Sequence, residues 1–241
     1  MNDWLIPDWP APARVKACVT TRAGGVSLAP FDSLNLGDHV DDSPMAVAEN
    51  RRRLTDHFAI QPAWLQQVHG VAVAHADPAQ VATADASWTA TPGIACTVMT
   101  ADCLPVLFCD RAGSRVAAAH AGWRGLAAGV LEATLDSLAV DPAQVLVWLG
   151  PAIGPQAFEV GPEVRDVFIA QLAETHQAFV PSHNAGKYLA DIYLLARLRL
   201  KARGVSAVYG GGWCTVTDPR FFSYRRAPRT GRFASLIWLE R

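Results

Sequence analysis

The chain has 241 residues, of which 51% are hydrophobic and 18% are charged. This composition excludes an intrinsically disordered chain, which has few apolar residues and a high net charge. The 21 lysine and arginine residues nearly balance the 22 aspartate and glutamate residues, so the charge gives no reason to expect nucleic acid or an anionic membrane as a partner. We expect a single domain spanning residues 1–241, with a small molecule as its ligand.

The cysteines and the N-terminal segment indicate where the protein works. The cysteines number 5 and lack the dense spacing of a disulfide framework, and free thiols are typical of the cytoplasm. The N-terminal segment has acidic residues and prolines where a secretory signal needs a basic start and an apolar run of about 7–15 residues. Apolar stretches also fall short of the roughly 18 residues that cross a bilayer as a helix. The sequence therefore predicts a soluble, cytoplasmic protein.

The first half of the chain combines one helix with a series of strands. A strand is predicted over residues 15–21, and a long glycine-rich loop leads to a helix that begins at Pro44 and ends near Phe58. Short apolar segments bounded by glycine, aspartate or proline then predict the strands of a buried sheet. These segments cover residues 64–69, 71–76, 93–100, 105–110 and 115–121.

The second half adds the clearest helix, from about Trp123 to Leu138, where apolar side chains recur at three- and four-residue intervals. Further elements are predicted over residues 145–150 (strand), 162–172 and 191–203 (helices), and 205–209 and 234–239 (strands). This order predicts an α/β fold, namely a single-domain α/β sandwich in which a central mixed sheet is flanked by helices.

Three residues with metal-binding side chains lie at the ends of predicted strands. Cys103 lies between two apolar strands, His120 lies where a strand meets the long helix, and His69 ends a strand before Gly70, which would let the chain turn away. Such donors suit either a metal or a nucleophile. One thiolate and two imidazoles are typical of a catalytic zinc site with an open fourth position. We therefore predict His69, Cys103 and His120 as ligands of zinc, with copper as the alternative metal.

Other polar side chains are candidates for substrate binding and proton transfer. Arg22 stands beside a Gly-Gly pair and could form a phosphate cradle, although such a pair is also an ordinary turn. Asp85, Asp102 and Asp191 lie in apolar surroundings, where an unpaired carboxylate is costly and a role in hydrogen bonding or proton transfer becomes plausible. Asp102 precedes Cys103 and is the predicted proton shuttle, so the predicted catalytic residues are Cys103, His120 and Asp102.

The chain carries motifs along nearly its whole length that resemble the laccase-domain, or multicopper polyphenol oxidoreductase, family. They include TTRAGGVS, FDSLNLG, ENRRRL, LQQVHG, TADCLPVLF, AAHAGWRG, WLGPAIGP and FFSYRR, with TGR near the end. The resemblance implies a zinc-dependent purine nucleoside enzyme that carries out phosphorolysis of adenosine, inosine and methylthioadenosine and hydrolytic deamination of adenosine. Its partners would be a purine nucleoside and phosphate, and its metal ligands would be His69, Cys103 and His120.

The resemblance also implies which residues bind the substrate. In ENRRRL, Arg51 would turn inward beside Asn50, and in FFSYRR, Tyr224 and Arg225 would close over a nucleoside, with an aromatic ring stacked on the base. Arg22, Arg51 and Arg124 are the predicted phosphate clamps. The predicted substrate-binding residues are thus Arg22, Asn50, Arg51, Arg124, Tyr224 and Arg225.

Three alternatives remain open from the sequence. A copper-dependent polyphenol oxidase would need many more histidines than the 7 in this chain. A cysteine hydrolase with Cys103 as nucleophile and His120 as base would work without a metal. A bacterial branch of the family is described as a peptidoglycan editing factor, so a peptidoglycan-precursor editing factor is the third alternative. The oligomeric state stays open between a monomer and a homodimer.

Overall fold

Two stacked sheets with helices on both outer sides form the fold, which the computed structural model describes over residues 3–241. The helices are α1 (Pro44–Phe58), α2 (Trp123–Ala128), α3 (Val130–Leu138), α4 (Pro162–Gln171) and α5 (Ile192–Ala202). The strands of the first half are β1 (Val15–Val19), β2 (Gln61–Ala63), β3 (Leu65–Gln66), β4 (Val73–His75), β5 (Ala82–Thr83), β6 (Ala86–Thr89), β7 (Ile94–Thr100), β8 (Leu104–Asp110) and β9 (Val116–Ala121). The remaining strands are β10 (Val145–Leu149), β11 (Glu159–Val160), β12 (Phe179–Pro181), β13 (Tyr188–Ala190), β14 (Ala207–Gly210) and β15 (Phe233–Leu239).

The two large sheets are both mixed. The four-stranded sheet has the order β1-β15-β7-β2, in which β2 runs parallel to β7, and the six-stranded sheet has the order β14-β10-β8-β9-β6-β4, in which β14 runs parallel to β10 and β4 to β6. Two further sheets are small and have the strand orders β11-β13-β12 and β3-β5. The predicted α/β sandwich is confirmed, and its centre holds two stacked sheets where the sequence pattern indicated one.

The apolar strands are buried on both faces, which explains their continuous hydrophobic sequences. In β8, Val106 and Phe108 pack in the core shared with helices α2, α3 and α5, whereas Leu107 and Cys109 pack against the four-stranded sheet. Neighbouring residues of a strand point to opposite faces, so each layer receives alternate side chains. On the far side of the four-stranded sheet, Leu54 of α1 fills the third core.

The helix predicted over residues 123–138 is interrupted. Gly129 has a φ of 105° and ends α2, with its N–H donating to the carbonyls of Gly125 and Leu126, and α3 begins at the next residue. Glycine adopts this left-handed conformation without the steric cost of a Cβ atom. The apolar periodicity continues across the break, because both helices bury the same side. None of the helices in residues 3–241 has the length and hydropathy required to cross a bilayer.

The crossing between the two sheets brings distant residues together. Strand β7 belongs to the four-stranded sheet and β8 to the six-stranded sheet, so the turn at residues 101–103 carries the chain from one sheet to the other. Strand β8 then pairs antiparallel with β9, and Leu104 lies opposite Ala121 while Pro105 lies opposite His120. Cys103 therefore lies beside the end of β9, next to His120.

Asn50 of α1 fixes the long glycine-rich loop that precedes the helix. Its Oδ1 accepts a hydrogen bond from the N–H of Val26 at 2.9 Å, and its Nδ2 donates to Ser27 Oγ, Ser33 O and Asn35 O at 2.9, 3.1 and 2.9 Å. The side chain is fully buried. The structure thus gives this predicted substrate ligand a structural role, because its amide is used entirely within the protein.

Replacing Asn50 with alanine is expected to lower the free energy of unfolding by about 2–4 kcal/mol, because several buried backbone and hydroxyl groups lose a hydrogen-bond partner. Urea denaturation followed by circular dichroism measures the change. Met45→Ala, on the same helix and 84% exposed, is the matched control and should stay within about 0.5 kcal/mol of the wild type. Equal stability of the two variants would contradict the structural role.

Candidate metal centre

His69, Cys103 and His120 form a group that could hold a metal ion. Their ligand atoms all lie within 4.8 Å of one another. Cys103 Sγ lies 3.8 Å from His69 Nε2, and the two imidazole rings meet edge to face with centroids 4.7 Å apart. A tetrahedral zinc ion with ordinary bond lengths would hold a sulfur and a nitrogen ligand about 3.6 Å apart. The donor set and its spacing therefore fit zinc, and a thiolate with two imidazoles also suits copper.

Asp85 forms hydrogen bonds with two of the three donor residues, His120 and His69. Its Oδ1 lies 2.8 Å from Nδ1 of His120, which leaves Nε2 as the free nitrogen of that ring. The same carboxylate accepts hydrogen bonds from the backbone N–H groups of Val68, His69 and Gly70 at 3.2, 2.9 and 2.7 Å. A carboxylate behind a ligating histidine fixes the ring orientation and its tautomer. Asp85, which the sequence marked only as a carboxylate in apolar surroundings, is therefore a positioning residue.

The turn at His69 differs from the one expected at Gly70. His69 itself has a φ of 60°, in the left-handed region where a residue with a Cβ atom is strained by roughly 1–3 kcal/mol. The hydrogen bonds from this turn to Asp85 offset the strain. The sequence could not show this, because the residue that looks suited to the turn is the glycine, and the carboxylate that stabilises it lies 16 positions further along the chain.

The electrostatics of the group favour a thiolate. Burial raises the pKa of the Cys103 thiol, but the charge of His120 and hydrogen bonds from both histidines outweigh burial and lower the pKa to about 6. Burial lowers the pKa of His120, and the charge of Cys103 together with the hydrogen bond to Asp85 raises it overall. The thiolate is the form of cysteine that binds metals and acts as a nucleophile.

Two glycines of the GWRG motif allow α2 to begin directly against the candidate metal ligands. A Cβ atom on Gly122 would lie 2.7 Å from Cδ2 of His69 and 3.1 Å from Sγ of Cys103, and a Cβ atom on Gly125 would lie 2.8 Å from the carbonyl oxygen of Gly70. Real Cβ contacts are essentially never closer than 3.0 Å. The missing side chains thus make room for the donors and for the turn that carries His69.

The open side of the donor group faces a cavity of about 430 Å³, a size typical of small-molecule sites. Its wall combines apolar with basic side chains. The apolar ones are Met99, Ala101, Trp123, Ile153, Phe158 and Ile192, and the basic ones besides the candidate ligands are His39, Arg124, Arg225 and Arg232. A larger cavity, of about 590 Å³, lies between the N-terminal segment and the end of β15, and the three donors do not line it.

The structure divides the six predicted substrate-binding residues into two sets. Arg124, Tyr224 and Arg225 line the cavity, and Tyr224 is 56% exposed at its edge. Arg225 donates to the carbonyls of Ala157 and Glu159, and thus joins two parts of the wall.

Arg22, Asn50 and Arg51 lie outside the cavity lining. Arg22 is paired with Asp32 at 3.0 Å and lies over the ring of Phe222, which is itself buried in the core. Arg51 is paired with Asp38 at 3.3 Å and lies over the ring of Trp64. These guanidinium groups already have partners within the protein, so the structure gives them a role in holding the loop around α1.

Asp102, the predicted proton shuttle, anchors the cavity wall. Its two carboxylate oxygens accept hydrogen bonds from the hydroxyl of Thr215 and from the N–H of Arg225, each at 2.6 Å, and its carbonyl oxygen accepts from the N–H of Ile153 at 2.9 Å. Its φ of 100° is unusual for a residue other than glycine. These contacts tie three segments of the wall to the turn that carries Cys103, and proton transfer by Asp102 stays a prediction.

Sequence reasoning did not select Arg232, His39 or Gln67, which also line the cavity. Gln67 holds the backbone of Met99 through hydrogen bonds of 2.8 Å to its N–H and carbonyl groups. Arg232 lies in the TGR string, which was one of the motifs of the resemblance, so a signal for it was present. His39 lies in the glycine-rich loop, where nothing local distinguishes it from a solvated histidine.

Known proteins are similar to this chain along nearly its whole length. A family model described as multi-copper polyphenol oxidoreductase laccase matches residues 16–240. A protein of Pseudomonas aeruginosa named purine nucleoside phosphorylase is 72% identical over 241 residues, covering 100% of both chains. An Escherichia coli protein named purine nucleoside phosphorylase YfiH is 56% identical over 244 residues, covering 99% of this chain and 100% of the other.

Solved structures show the same fold. The crystal structure of a Neisseria meningitidis protein superposes with a TM-score of 0.96 at 53% identity, covering 99% of this chain and 100% of that chain. The crystal structure of YlmD from Geobacillus stearothermophilus superposes with a TM-score of 0.93 at 32% identity, covering 99% and 96%.

Replacing Gly122 with alanine is expected to weaken zinc binding by about tenfold or more, because the new methyl group displaces His69 and Cys103 from their tetrahedral positions. Competition with a chromophoric chelator measures the affinity. Gly70→Ala is the matched control, since its Cβ atom would lie 3.4 Å from Asp85 and 3.6 Å from Val68, and it should bind zinc like the wild type. An unchanged affinity of the Gly122 variant would show that the donors do not need this space.

Replacing Asp85 with asparagine is expected to weaken zinc binding roughly 10- to 100-fold and to lower the melting temperature. An amide places an NH₂ group where the carboxylate accepts, so either the turn at His69 or the ring of His120 loses its partner. Chelator competition and thermal unfolding measure the two effects.

The control for this variant is Asp191→Asn. Asp191 caps α5 by accepting a hydrogen bond from the N–H of Leu194 at 3.0 Å, and asparagine caps a helix as well as aspartate does. This control should keep both zinc affinity and stability. If Asp85→Asn bound zinc as tightly as the control, the carboxylate would not position the donors.

Proposed function

We propose, starting from the membership of this chain in the multi-copper polyphenol oxidoreductase laccase family, that it is a metal-dependent purine nucleoside phosphorylase. The observation that carries the proposal is the group of one thiolate and two imidazoles that opens onto a cavity with apolar and basic walls. The names of the relatives from Pseudomonas aeruginosa and Escherichia coli support it.

We assign zinc to the site, with copper as the alternative. Three protein ligands and one open position are the pattern of catalytic zinc, and the bound ion would supply a Lewis acid in the wall of the cavity. Oxidation of polyphenols by a multicopper enzyme needs several copper centres. Within residues 3–241, the structure has one group of three or more metal-binding side chains, which favours the nucleoside reaction over the oxidase.

The cavity walls suit the two substrates of phosphorolysis. In this reaction a phosphate oxygen bonds to C1′ of the ribose while the bond from C1′ to the purine nitrogen breaks, and the purine leaves with that electron pair and takes up a proton. Apolar side chains such as Phe158 and Ile153 exclude water around the base, and Tyr224 at the edge can stack on it. Arg124 and Arg225 supply positive charge for the anionic phosphate.

We further propose that the same site accepts inosine and methylthioadenosine and deaminates adenosine by hydrolysis, as the family resemblance implies. Deamination adds water to the purine ring and releases ammonia, so a group must move protons near the bound ring. Asp102 is our candidate because its carboxylate lies in the cavity wall beside Cys103. The five free cysteines, Cys18, Cys96, Cys103, Cys109 and Cys214, fit our placement of the enzyme in the reducing cytoplasm.

The lowered pKa of the Cys103 thiol favours one second candidate, a cysteine hydrolase in which His120 is the base. A thiolate beside an imidazole can attack an acyl carbon without a metal. The two functions differ in their response to chelation, because only the metal enzyme depends on a bound ion.

Removal of the metal with a chelator is expected to reduce adenosine phosphorolysis by roughly 100-fold, and zinc should restore it. Chromatography of reactions containing adenosine and phosphate, with detection of adenine, inosine and hypoxanthine, separates phosphorolysis from deamination. Cys103→Ala should abolish both reactions. Cys214→Ala is the control, since Cys214 lies outside the cavity lining and should leave them unchanged.

Hydrolysis of a test ester that survives chelation and depends on Cys103 would instead support the cysteine hydrolase. Full nucleoside turnover by the metal-free protein would overturn the proposed function.

A further inference from the structure

Arg232 is a half-buried cation in the cavity wall, with donor groups that are not used by the protein. Its Nη1 donates to the carbonyls of Thr230 and Gly231, both at 3.0 Å. In the described part of the chain, Nε and Nη2 have no hydrogen-bond acceptor, and the guanidinium has no carboxylate within salt-bridge distance. Burial lowers the pKa of Arg232 from its ordinary value, and the charges of Cys103 and Asp102 partly oppose this effect. An anion that binds directly to these free N–H groups would stabilise the half-buried cation further.

Three of the other arginines near the site already have partners within the protein. Arg22 and Arg51 are paired with Asp32 and Asp38, and Arg225 donates to backbone carbonyls. Arg232 thus differs from these three in having the Nε–Nη2 edge of its guanidinium free to bind a ligand.

The position of Arg232 is set by the glycine-rich loop. Its backbone N–H donates to Oδ1 of Asn35 at 2.8 Å, and its stem packs on Gly37, where a Cβ atom would lie 2.8 Å from Cγ of the arginine. His39 of the same loop also lines the cavity. Burial and the charge of Arg232 lower the pKa of His39, and its imidazole can donate a hydrogen bond beside the arginine.

We propose that Arg232 is the anchor of the subsite for inorganic phosphate, with two phosphate oxygens bound to Nε and Nη2. This inference rests on the proposed function, because phosphorolysis needs an anionic co-substrate whereas a nucleoside carries no charge that would pair with the arginine. The fork of a guanidinium matches two oxygens of a phosphate group. Arg124, exposed on the same cavity and stacked on Trp123, supplies the second positive charge for the dianion.

Calorimetric titration of the zinc-loaded protein with inorganic phosphate, alone and in the presence of a purine nucleoside, tests the subsite directly. Arg232→Met is expected to weaken phosphate binding by about tenfold or more, since two charge-assisted hydrogen bonds are lost. Arg232→Lys keeps the charge without the fork and should weaken binding by about threefold or more. Arg203→Met, which removes a surface ion pair with Asp136, is the control and should bind phosphate like the wild type.

Steady-state kinetics provide the second measurement. The KM for phosphate should rise in the Arg232 variants, while the KM for the nucleoside stays within about twofold of the wild-type value, because the contacts to a neutral ligand are unchanged. A mutation that only loosened the cavity would raise both KM values together.

Phosphate binding by Arg232→Met equal to that of the control would overturn the subsite, and so would a wild-type protein that binds no phosphate with or without nucleoside. If Arg232→Met does not fold, wild-type affinity of Arg232→Lys for phosphate overturns it equally. The proposed function fails in a different way, when phosphate binds through Arg232 but neither adenosine nor inosine is cleaved.

Discussion

The geometry of the candidate metal centre depends on the hydrogen bonds of one buried carboxylate, that of Asp85. It bonds to the ring of His120 and to the backbone turn that holds His69 in a left-handed conformation. Without this acceptor, the strained turn would relax and the imidazole could rotate. Cys103 is placed independently, by the pairing of β8 with β9. The hydrogen bonds of Asp85 and the register of β8 with β9 therefore act together to bring the three donors to one point.

The helices and strands that the sequence predicted correctly are those with a long apolar segment or a regular spacing of apolar side chains. Helix α1 begins at Pro44 as predicted, and β7, β8 and β9 follow from long apolar segments. The strands that were missed are short: β2 and β11 have three residues or fewer and β6 has four, too few to show clear alternation. Stacking of two sheets also leaves no local signal, since a strand buried on both faces has the same sequence pattern in one central sheet or in two stacked ones.

The residues of the candidate site also differ in how well the sequence could predict them. The donors His69, Cys103 and His120 could be selected because thiolates and imidazoles at strand ends have a specific chemistry. Arginines carry no such signature, since the same guanidinium can bind a ligand, as proposed for Arg232, or be paired within the protein, as Arg22 is with Asp32. Only the three-dimensional contacts distinguish these two uses. A buried asparagine such as Asn50 is equally ambiguous until its hydrogen-bond partners are known.

The hydrogen bonds of Asp102 have a consequence for how such an enzyme diversifies. One residue ties the segments at Ile153, Thr215 and Arg225 to the turn beside Cys103. Side chains between these anchor points can change without moving the donors, because the backbone of the wall stays fixed. The scaffold thereby separates the part of the wall that would contact a ligand from the backbone that places the donor group.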